Sequence, residues 1–486
     1  MKIGFDNKQY LKMQSEHIKE RISKFDNKLY LEFGGKLFDD FHAARVLPGF
    51  AADSKLQMLM QLADQAEIVM VVSADDIEKN KIRGDLGITY DQDVIRLKNE
   101  FEERGLYVGS VVLTKYAGQP SANQFQKRLE KIGVKVYHHY LIPGYPTNVP
   151  YIISDEGYGK NDFIETSRPL VVVTAAGAGS GKMSTCLSQL YHEHKRGVRA
   201  GYAKFETFPI WNLSLDHPIN LAYEAATADL NDINMIDPFH LKAYGITTVN
   251  YNRDVEIFPV LNAIFMSIYG ESPYQSPTDM GVNMVGNCIV DDEVCREASR
   301  QEIIRRYYNA LVGLAQGTRE AEEVNKLKLL MNRENINPMD RVAARYAMER
   351  AQQTGVPACA FELNDGTVIT GKTGDLLGAT SAALINALKH LAGIPHDYTM
   401  LSRESIEPIQ TLKTQYLGSK NPRLHTDEVL IALSANAATN ANAALALQQL
   451  PKLKHAQVHS SVILSPADLK TLKKLMCDVT YEPKTI

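Results

Sequence analysis

The residues most able to do chemistry lie in a glycine-rich stretch at 177–185, which follows an apolar run at 170–173. Its glycines and the lysine after them are Gly177, Gly179, Gly181 and Lys182. Glycines allow successive backbone N–H groups to turn towards one anion, because no Cβ obstructs the turn. A helix start and a lysine ammonium would add positive charge. The order strand, glycine-rich loop, lysine, helix therefore predicts a phosphate-binding loop.

This loop departs from the P-loop pattern G-x-x-x-x-G-K-[ST] at two positions. Ala176 replaces the first glycine, and Met183 replaces the hydroxyl residue that would bind Mg²⁺. Ser184 and Thr185 supply hydroxyls one and two positions later, so phosphate binding should tolerate the changes better than metal-assisted hydrolysis. The alternative is a simple turn between strand and helix, with Lys182 in solvent. The expected ligand-binding residues are Gly177, Gly179, Ser180, Gly181, Lys182, Ser184, Thr185 and, further along the chain, Lys204.

A literal G-x-x-x-x-G-K-T occurs at 366–373, but its surroundings predict a β-hairpin. The Asn-Asp-Gly that overlaps its start is a typical turn sequence after the apolar run 358–363. The residues between its two glycines favour β-strand, whereas a phosphate loop needs bare, turning backbone there. We therefore interpret this second match as coincidental.

Two acidic residues are candidates for holding Mg²⁺. Asp291 and Asp292 follow an apolar segment at 288–290, and we expect a short strand at 287–292. Carboxylates at the carboxyl end of such a strand are where P-loop proteins hold their metal or attacking water. Because a helical pattern follows, the alternative is that these carboxylates cap a helix.

Two basic residues are further candidates. Lys204, at the end of a predicted strand, would face a bound anion, and the alternative is an ion pair with Glu206. Arg253 offers planar recognition of phosphate or carboxylate. It lies in the polar segment 250–254, which we interpret, together with 276–283, as loops that contact substrate. The alternative is that both loops are merely solvated.

The composition is that of an ordinary globular protein. The chain has 486 residues, of which 44% are hydrophobic and 23% charged, enough for two or three domains. A net charge of −4 indicates neither a nucleic-acid nor a membrane-surface partner. We find no signal-peptide pattern and expect a cytoplasmic protein. The five cysteines include no C-x-x-C pair, and no H-E-x-x-H occurs, so no zinc is expected.

The pattern of elements predicts a parallel α/β sheet, because strand-like and helix-like segments alternate. The strands expected in this sheet are 29–33, 66–74, 107–114, 134–142, 170–175 and 199–205. The helices expected between these strands are 54–65, 93–104 and 121–132. Further helices are expected after the sheet, at 293–314, 318–331, 379–392, 427–449 and 466–476. We predict a phosphate-binding region at 1–325, which can divide into 1–150 and 151–325. A smaller C-terminal α/β domain is predicted at 326–486.

Five stretches resemble an uncharacterised bacterial family, a domain of unknown function whose members are similar along their whole length. They are 30–40, 179–183, 250–254, 276–281 and 425–430. Some members are loosely called ATP-dependent zinc proteases, but this chain lacks the motif for that label and we do not carry it over. A weaker, local similarity to dethiobiotin synthetase-like P-loop enzymes rests on 176–185 and the strand that ends at Lys204, where convergence on one βαβ unit is an alternative.

These observations predict a phosphate- or nucleotide-binding protein, a transferase or ligase that uses ATP or another nucleotide with Mg²⁺. We expect Lys182, Asp291 and Arg253 to be catalytic, with Asp291 and Asp292 holding the metal. The expected partners are a small phosphate-bearing molecule and further copies of the chain. The alternatives are a non-catalytic nucleotide or phosphometabolite sensor, which Met183 favours, and an oligomeric assembly protein built on the apolar C-terminal helices.

Overall fold

The computed structural model describes residues 2–35, 37–83, 86–177, 179–230 and 232–484. They form two compact units, a larger one from 2–224 with 232–296 and a smaller one from 225–230 with 297–484. The strands are β1 (Leu29–Phe33), β2 (Ala66–Ser73), β3 (Ile82–Arg83), β4 (Ile88–Thr89), β5 (Tyr107–Thr114), β6 (Lys135–His138), β7 (Leu170–Ala175), β8 (Gly201–Phe205), β9 (Asn234–Ile236), β10 (Val249–Tyr251), β11 (Gly281–Val282), β12 (Ala358–Glu362), β13 (Val368–Lys372), β14 (Gln457–Ser460) and β15 (Asp478–Tyr481).

Helices connect most of these strands, and no helix of the described ranges is both long and apolar enough to cross a membrane. They are α1 (Asn7–Ser23), α2 (Phe41–Val46), α3 (Ser54–Gln61), α4 (Ala74–Glu78), α5 (Tyr90–Glu103), α6 (Pro120–Lys131), α7 (Val149–Ile152), α8 (Lys182–Lys195), α9 (Pro218–Ala226), α10 (Pro238–Tyr244), α11 (Asn252–Tyr269), α12 (Pro277–Met280), α13 (Asp292–Ala315), α14 (Ala321–Arg333), α15 (Val342–Thr354), α16 (Ala379–Leu391), α17 (Arg403–Thr411), α18 (Thr426–Asn436), α19 (Ala441–Leu447) and α20 (Pro466–Lys474).

The larger unit is organised around a seven-stranded sheet in the order β11-β8-β1-β7-β2-β5-β6. Every pairing in it is parallel, as the sequence predicted. All eight residues of β2 are buried, as are the first five of β7. Strands covered on both faces need continuous apolar runs, and this explains why they were recognisable from the sequence.

The strand order creates a crevice at the carboxyl edge of this sheet. From β2 the chain proceeds to β5, whereas from β7 it proceeds over β1 to β8, in the opposite direction. Because crossover connections are right-handed, the two connections leave on opposite faces of the sheet. Ligands of open α/β sheets bind where strand order reverses in this way.

Several predicted elements of the larger unit were wrong in detail. No strand forms at 287–292, because Val285–Cys288 is a 3-10 turn and Ile289 makes only an isolated bridge with Phe5. The predicted loop 250–254 belongs instead to β10 and the first turn of α11, an 18-residue helix that contains Pro259. The predicted loop 276–283 contains α12 and β11.

The smaller unit has a four-stranded sheet in the order β13-β12-β14-β15. The pairing of β12 with β13 is antiparallel, which confirms the hairpin predicted at the literal G-x-x-x-x-G-K-T match. The helix predicted over 427–449 is divided into α18 and α19, and Asn440 caps the second of these through its side chain. In the same unit the fully buried Arg341 donates hydrogen bonds to Thr480, Gln457 and the backbone of Asp478.

Candidate functional site

A cavity of about 380 Å³ opens at the carboxyl edge of the large sheet. Its walls come from the ends of β1 and β5, the segment after β6 and the start of α8. The lining residues are Glu32, Thr114, Lys115, His139, Tyr140, Leu141, Ile142, Tyr145, Gly179, Gly181, Lys182, Met183 and Ser184. The volume is within the range of small-molecule sites. The ends of β1 and β5, on the two sides of the reversal in strand order, thus border a ligand-sized space.

The glycine-rich loop has the backbone that an anion-binding turn requires. Gly179 and Gly181 are left-handed, with φ of 71° and 92°, and Gly181 is the N-cap of α8. Thr114 Oγ1 donates a 2.7 Å hydrogen bond to the carbonyl of Ser180, which fixes the loop against β5. The amides of 182–184 donate to no described residue, and Thr185 N is the first to bond within the helix, to Gly181 O. The helix start is therefore open to the cavity.

The charged groups of the cavity are two lysines and one glutamate. Neither Lys182 nor Lys115 pairs with a carboxylate of the described chain, and Gly179 beside them is exposed. Lys115 follows β5 in a left-handed conformation, with φ of 52°, which is unusual for a residue with a side chain. Glu32 is 7% exposed and accepts a 2.8 Å hydrogen bond from Tyr202 Oη. The positive groups are thus free for an external anion.

Hydroxyl groups cluster at the first turn of α8. The Tyr145 side chain is 36% exposed, but its hydroxyl is buried. Burial raises the pKa of Tyr145 to about 12, although hydrogen bonds with Ser184 and Tyr158 lower it. The buried hydroxyls of Tyr158 and Thr185 make no hydrogen bond of ordinary geometry to a described residue, although the Tyr158 hydroxyl lies near those of Tyr145 and Ser184. Buried polar groups are usually satisfied, so these two are candidates for contact with water or a ligand.

His139 is a neutral member of the lining. Burial lowers the pKa of its imidazole to about 3, so the ring carries no charge at neutral pH. Its Nε2 lies 3.2 Å from the carbonyl of Asp162 and 3.4 Å from Gln189 Nε2. The shorter contact is with a pure acceptor, and this favours the tautomer that carries the proton on Nε2. Nδ1 is then a buried acceptor without a partner in the described ranges. This ring can accept one hydrogen bond from a donor beside it.

The structure brings only part of the predicted site together. Of the ligand-binding residues predicted from sequence, Gly179, Gly181, Lys182 and Ser184 line the cavity. The other predicted residues, Gly177, Ser180, Thr185 and Lys204, do not line it. A Cβ on Gly177 would meet the Tyr90 ring at 2.5 Å, the Ser180 hydroxyl bonds Gly177 O, and Thr185 is fully buried.

Lys204 forms the ion pair that was the alternative to anion binding. Its ammonium lies 2.7 Å from Glu206 and 2.5 Å from Asp254, and it also contacts Tyr251 Oη. Burial alone would lower the pKa of Lys204, but these carboxylates hold it well above its usual range. The same burial raises the pKa of Glu206 to about 7, although Lys204 opposes the rise. Lys204 is therefore committed to an internal network and does not line the cavity.

The remaining predicted site residues also lie away from the cavity. Asp291 accepts from Val294 N, and Asp292 pairs with Arg296 and His217, so both serve the start of α13 as in the capping alternative. Arg253 pairs with Asp232. The described residues contain no group of three or more acidic, histidine or cysteine side chains able to hold a metal ion. The sequence did not reveal the strand order that separates these residues from Lys182.

The sequence argument missed most of the other lining residues, among them the polar residues Glu32, Thr114, Lys115 and Tyr145. Glu32 had a visible signal, since a glutamate within the buried strand β1 directly precedes Phe33 and Gly34. Buried carboxylates are rare without a partner or a function. Lys115 and Tyr145 lie in connections whose position depends on long-range strand order, and nothing local marks them.

The fold is that of a parallel α/β protein with a ligand-sized cavity at the strand ends of its large sheet, together with a second, smaller α/β unit. Residues 3–335 match the N-terminal part of the domain of unknown function DUF1846, and residues 339–485 match its C-terminal part. UPF0371 proteins of Streptococcus thermophilus (strain CNRZ 1066) and Streptococcus pneumoniae (strain JJA) are each 56% identical over 482 residues, which is 99% of this chain and 98% of theirs. The chain belongs to this uncharacterised family.

Proposed function

We propose that the cavity at Lys182 binds the phosphate group of a nucleotide or another small phosphate-bearing molecule, and that the protein is a transferase or ligase acting on it. The observation that carries the proposal is that several hydrogen-bond donors line one cavity without a described acceptor. Lys182, Lys115 and the amides of 182–184 meet at the cavity, and none bonds to a described acceptor. Left-handed Gly179 and Gly181 aim the backbone there.

The chemistry available in this cavity is positioning and charge stabilisation. Lys182 and the helix start would stabilise negative charge on phosphoryl oxygens. Glu32 is the carboxylate among the described lining residues, and it would accept a proton from an attacking group. The residues predicted to hold Mg²⁺ do not fit that role, because Asp291 accepts from Val294 N, Asp292 pairs with Arg296 and His217, and neither lines the cavity. The proposed reaction therefore includes no step through a metal ion.

Ligand-induced stabilisation tests the proposal directly. Melting temperatures would be measured with ATP, ADP, GTP and inorganic phosphate, with and without Mg²⁺, for the wild type and Lys182→Ala. Lys127→Ala, an exposed lysine on α6, is the matched control. A ligand at 100 times its Kd stabilises the folded state by about 2.7 kcal/mol. We expect Lys182→Ala to lose about tenfold or more in affinity and the control to lose none.

Two outcomes would contradict this proposal. One is that no anion in the set stabilises the wild type, and the other is that Lys182→Ala binds as tightly as the control. If the protein converts a nucleotide that it binds into product, this would support the proposal that it is an enzyme. Binding without turnover would support the sensor alternative, which Met183 favours because it lines the cavity where a P-loop has its Mg²⁺-binding hydroxyl.

We also propose a homo-oligomer, which size-exclusion chromatography with light scattering would test.

A further inference from the structure

A second, larger cavity of about 630 Å³ lies in the smaller unit, in the part of the chain that matches the C-terminal family domain. One wall is formed by the segment 420–425, which precedes α18. Apolar side chains of the lining come from Val356 and Pro357 before β12 and from 462–464 after β14. A ligand that fills this space would touch the polar wall at 420–425 and these apolar side chains together.

The polar wall carries cations without carboxylate partners. Lys420 and Arg423 line the cavity, and within the described ranges neither forms an ion pair. Arg423 Nε donates a 2.7 Å hydrogen bond to the carbonyl of Gly374, which anchors the guanidinium and leaves its two terminal nitrogens for other acceptors. A planar guanidinium held in this way matches the two oxygens of an acidic group.

His425 lies beside Arg423 and is oriented by groups from α20. Its Nδ1 is 3.0 Å from Asp468 Oδ2 and 3.1 Å from Ser465 Oγ, which itself donates to Asp468 at 2.7 Å. Because the carboxylate only accepts, Nδ1 carries a proton and Nε2 is the nitrogen left for a ligand. Asp468 also accepts from Thr426 N, so its negative charge is satisfied internally.

The Asp468 contact also favours the charged form of the imidazole. The hydrogen bond to Asp468 raises the pKa of His425 against burial and against Lys413, and Glu428 adds to the rise. Lys413 is itself paired with Glu428 at 2.7 Å. The start of α16 completes the polar wall, since Ala379 and Thr380 line the cavity and no side chain caps that helix. Its partial positive charge has the same sign as the side chains.

We propose that this second cavity binds a small organic anion, with the acidic group at Arg423 and His425 and the apolar body against the wall formed by Val356 and 462–464. The lining combines cationic and apolar side chains within one cavity. It selects for one or two negative charges on a mainly apolar molecule rather than for a polyanion, because the cationic groups come from a single short segment. This proposal does not rest on the one made for the cavity at Lys182.

The test uses full-length protein that carries Lys182→Ala, so that the first cavity contributes least. Binding of benzenesulfonate would be measured by isothermal titration calorimetry, with benzenesulfonamide as a neutral probe of the same shape. Arg423→Gln and His425→Gln remove single cationic groups. Lys420→Gln removes the exposed ammonium group of the polar wall. Lys473→Gln on α20 is the matched control outside the cavity. Thermal unfolding of each variant establishes that it is folded.

We expect one benzenesulfonate site in the Lys182→Ala protein, with about tenfold or weaker binding of the sulfonamide. Arg423→Gln and His425→Gln should each weaken sulfonate binding about tenfold, because each removes a charge-assisted hydrogen bond. The sulfonate does not titrate near neutral pH, so its affinity should fall as pH rises through the pKa of His425, and His425→Gln should remove that fall. Equal binding of the two probes, or variants that bind like Lys473→Gln, would overturn the proposal.

Discussion

The substitution Glu206→Gln should remove a component of the pH dependence of stability. Burial raises the pKa of Glu206 from 4.5 to about 7 in the folded protein, where its Oε1 accepts from Lys204 and from Tyr251 Oη. The folded state therefore binds a proton that the unfolded chain has lost between pH 4.5 and 7. By linkage, the free energy of unfolding falls as pH rises through this window.

The expected magnitude follows from the two pKa values. Over pH 5 to 8 this one carboxyl should account for about 2–3 kcal/mol of lost stability, since each pKa unit corresponds to about 1.36 kcal/mol. Glutamine resembles the protonated acid and does not titrate. We therefore expect Glu206→Gln to gain about 2–3 kcal/mol relative to the wild type between pH 5 and pH 8.

Urea unfolding followed by tryptophan fluorescence measures this difference. The single tryptophan, Trp211, belongs to the same unit as Glu206, so its signal reports on the relevant transition. Glu156→Gln, at an exposed position of that unit, is the control and should run parallel to the wild type. If the wild type and Glu206→Gln showed the same change of stability with pH, our account of the buried network around Lys204 would be refuted.

Three further predictions concern other parts of the chain. Gly177→Ala should cost about 1–3 kcal/mol, because the new Cβ would meet the Tyr90 ring at 2.5 Å, and the cost should largely vanish in a Tyr90→Ala background. Arg341→Lys should destabilise the smaller unit by about 2 kcal/mol or more, because lysine cannot reach all three acceptors of the buried guanidinium; circular dichroism during urea unfolding would measure this, and an unchanged midpoint would disprove it. Nuclear magnetic resonance of His139 should show no titration between pH 5 and 8, since burial lowers its pKa to about 3, and a midpoint near 6.5 would contradict its buried position.

The sequence was most informative where structure depends on local pattern. The predicted strand 107–114 coincides with β5, and the predicted loop is followed by a helix that begins at Lys182, because apolar runs and glycine turns act over a few residues. It was least informative for α11. The polar residues Asn250 to Asp254 resemble a loop, but they end one short strand and begin a helix whose apolar face appears only later.

Long-range partners could not be derived from spacing. Lys204 pairs with Asp254, which is fifty positions further along the chain, and no local pattern indicates this pairing. Its nearer partner, Glu206, was one of the alternatives. Asp291 was expected beside the phosphate loop on the assumption of a neighbouring strand. That strand does not form, and the residue caps α13 through the backbone of Val294. The positions of such residues depend on which strands become neighbours, a property of the whole chain.

The helix that begins at Lys182 is buried along every residue from Thr185 to Glu193. Its amino end is thus held by packing over more than two turns and cannot tilt without disturbing the interior of the sheet. A ligand of the proposed site would meet backbone donors that are already in place, so its binding should require little ordering of the main chain. Differences in affinity among ligands of the proposed site should then arise from exposed side chains such as Lys115.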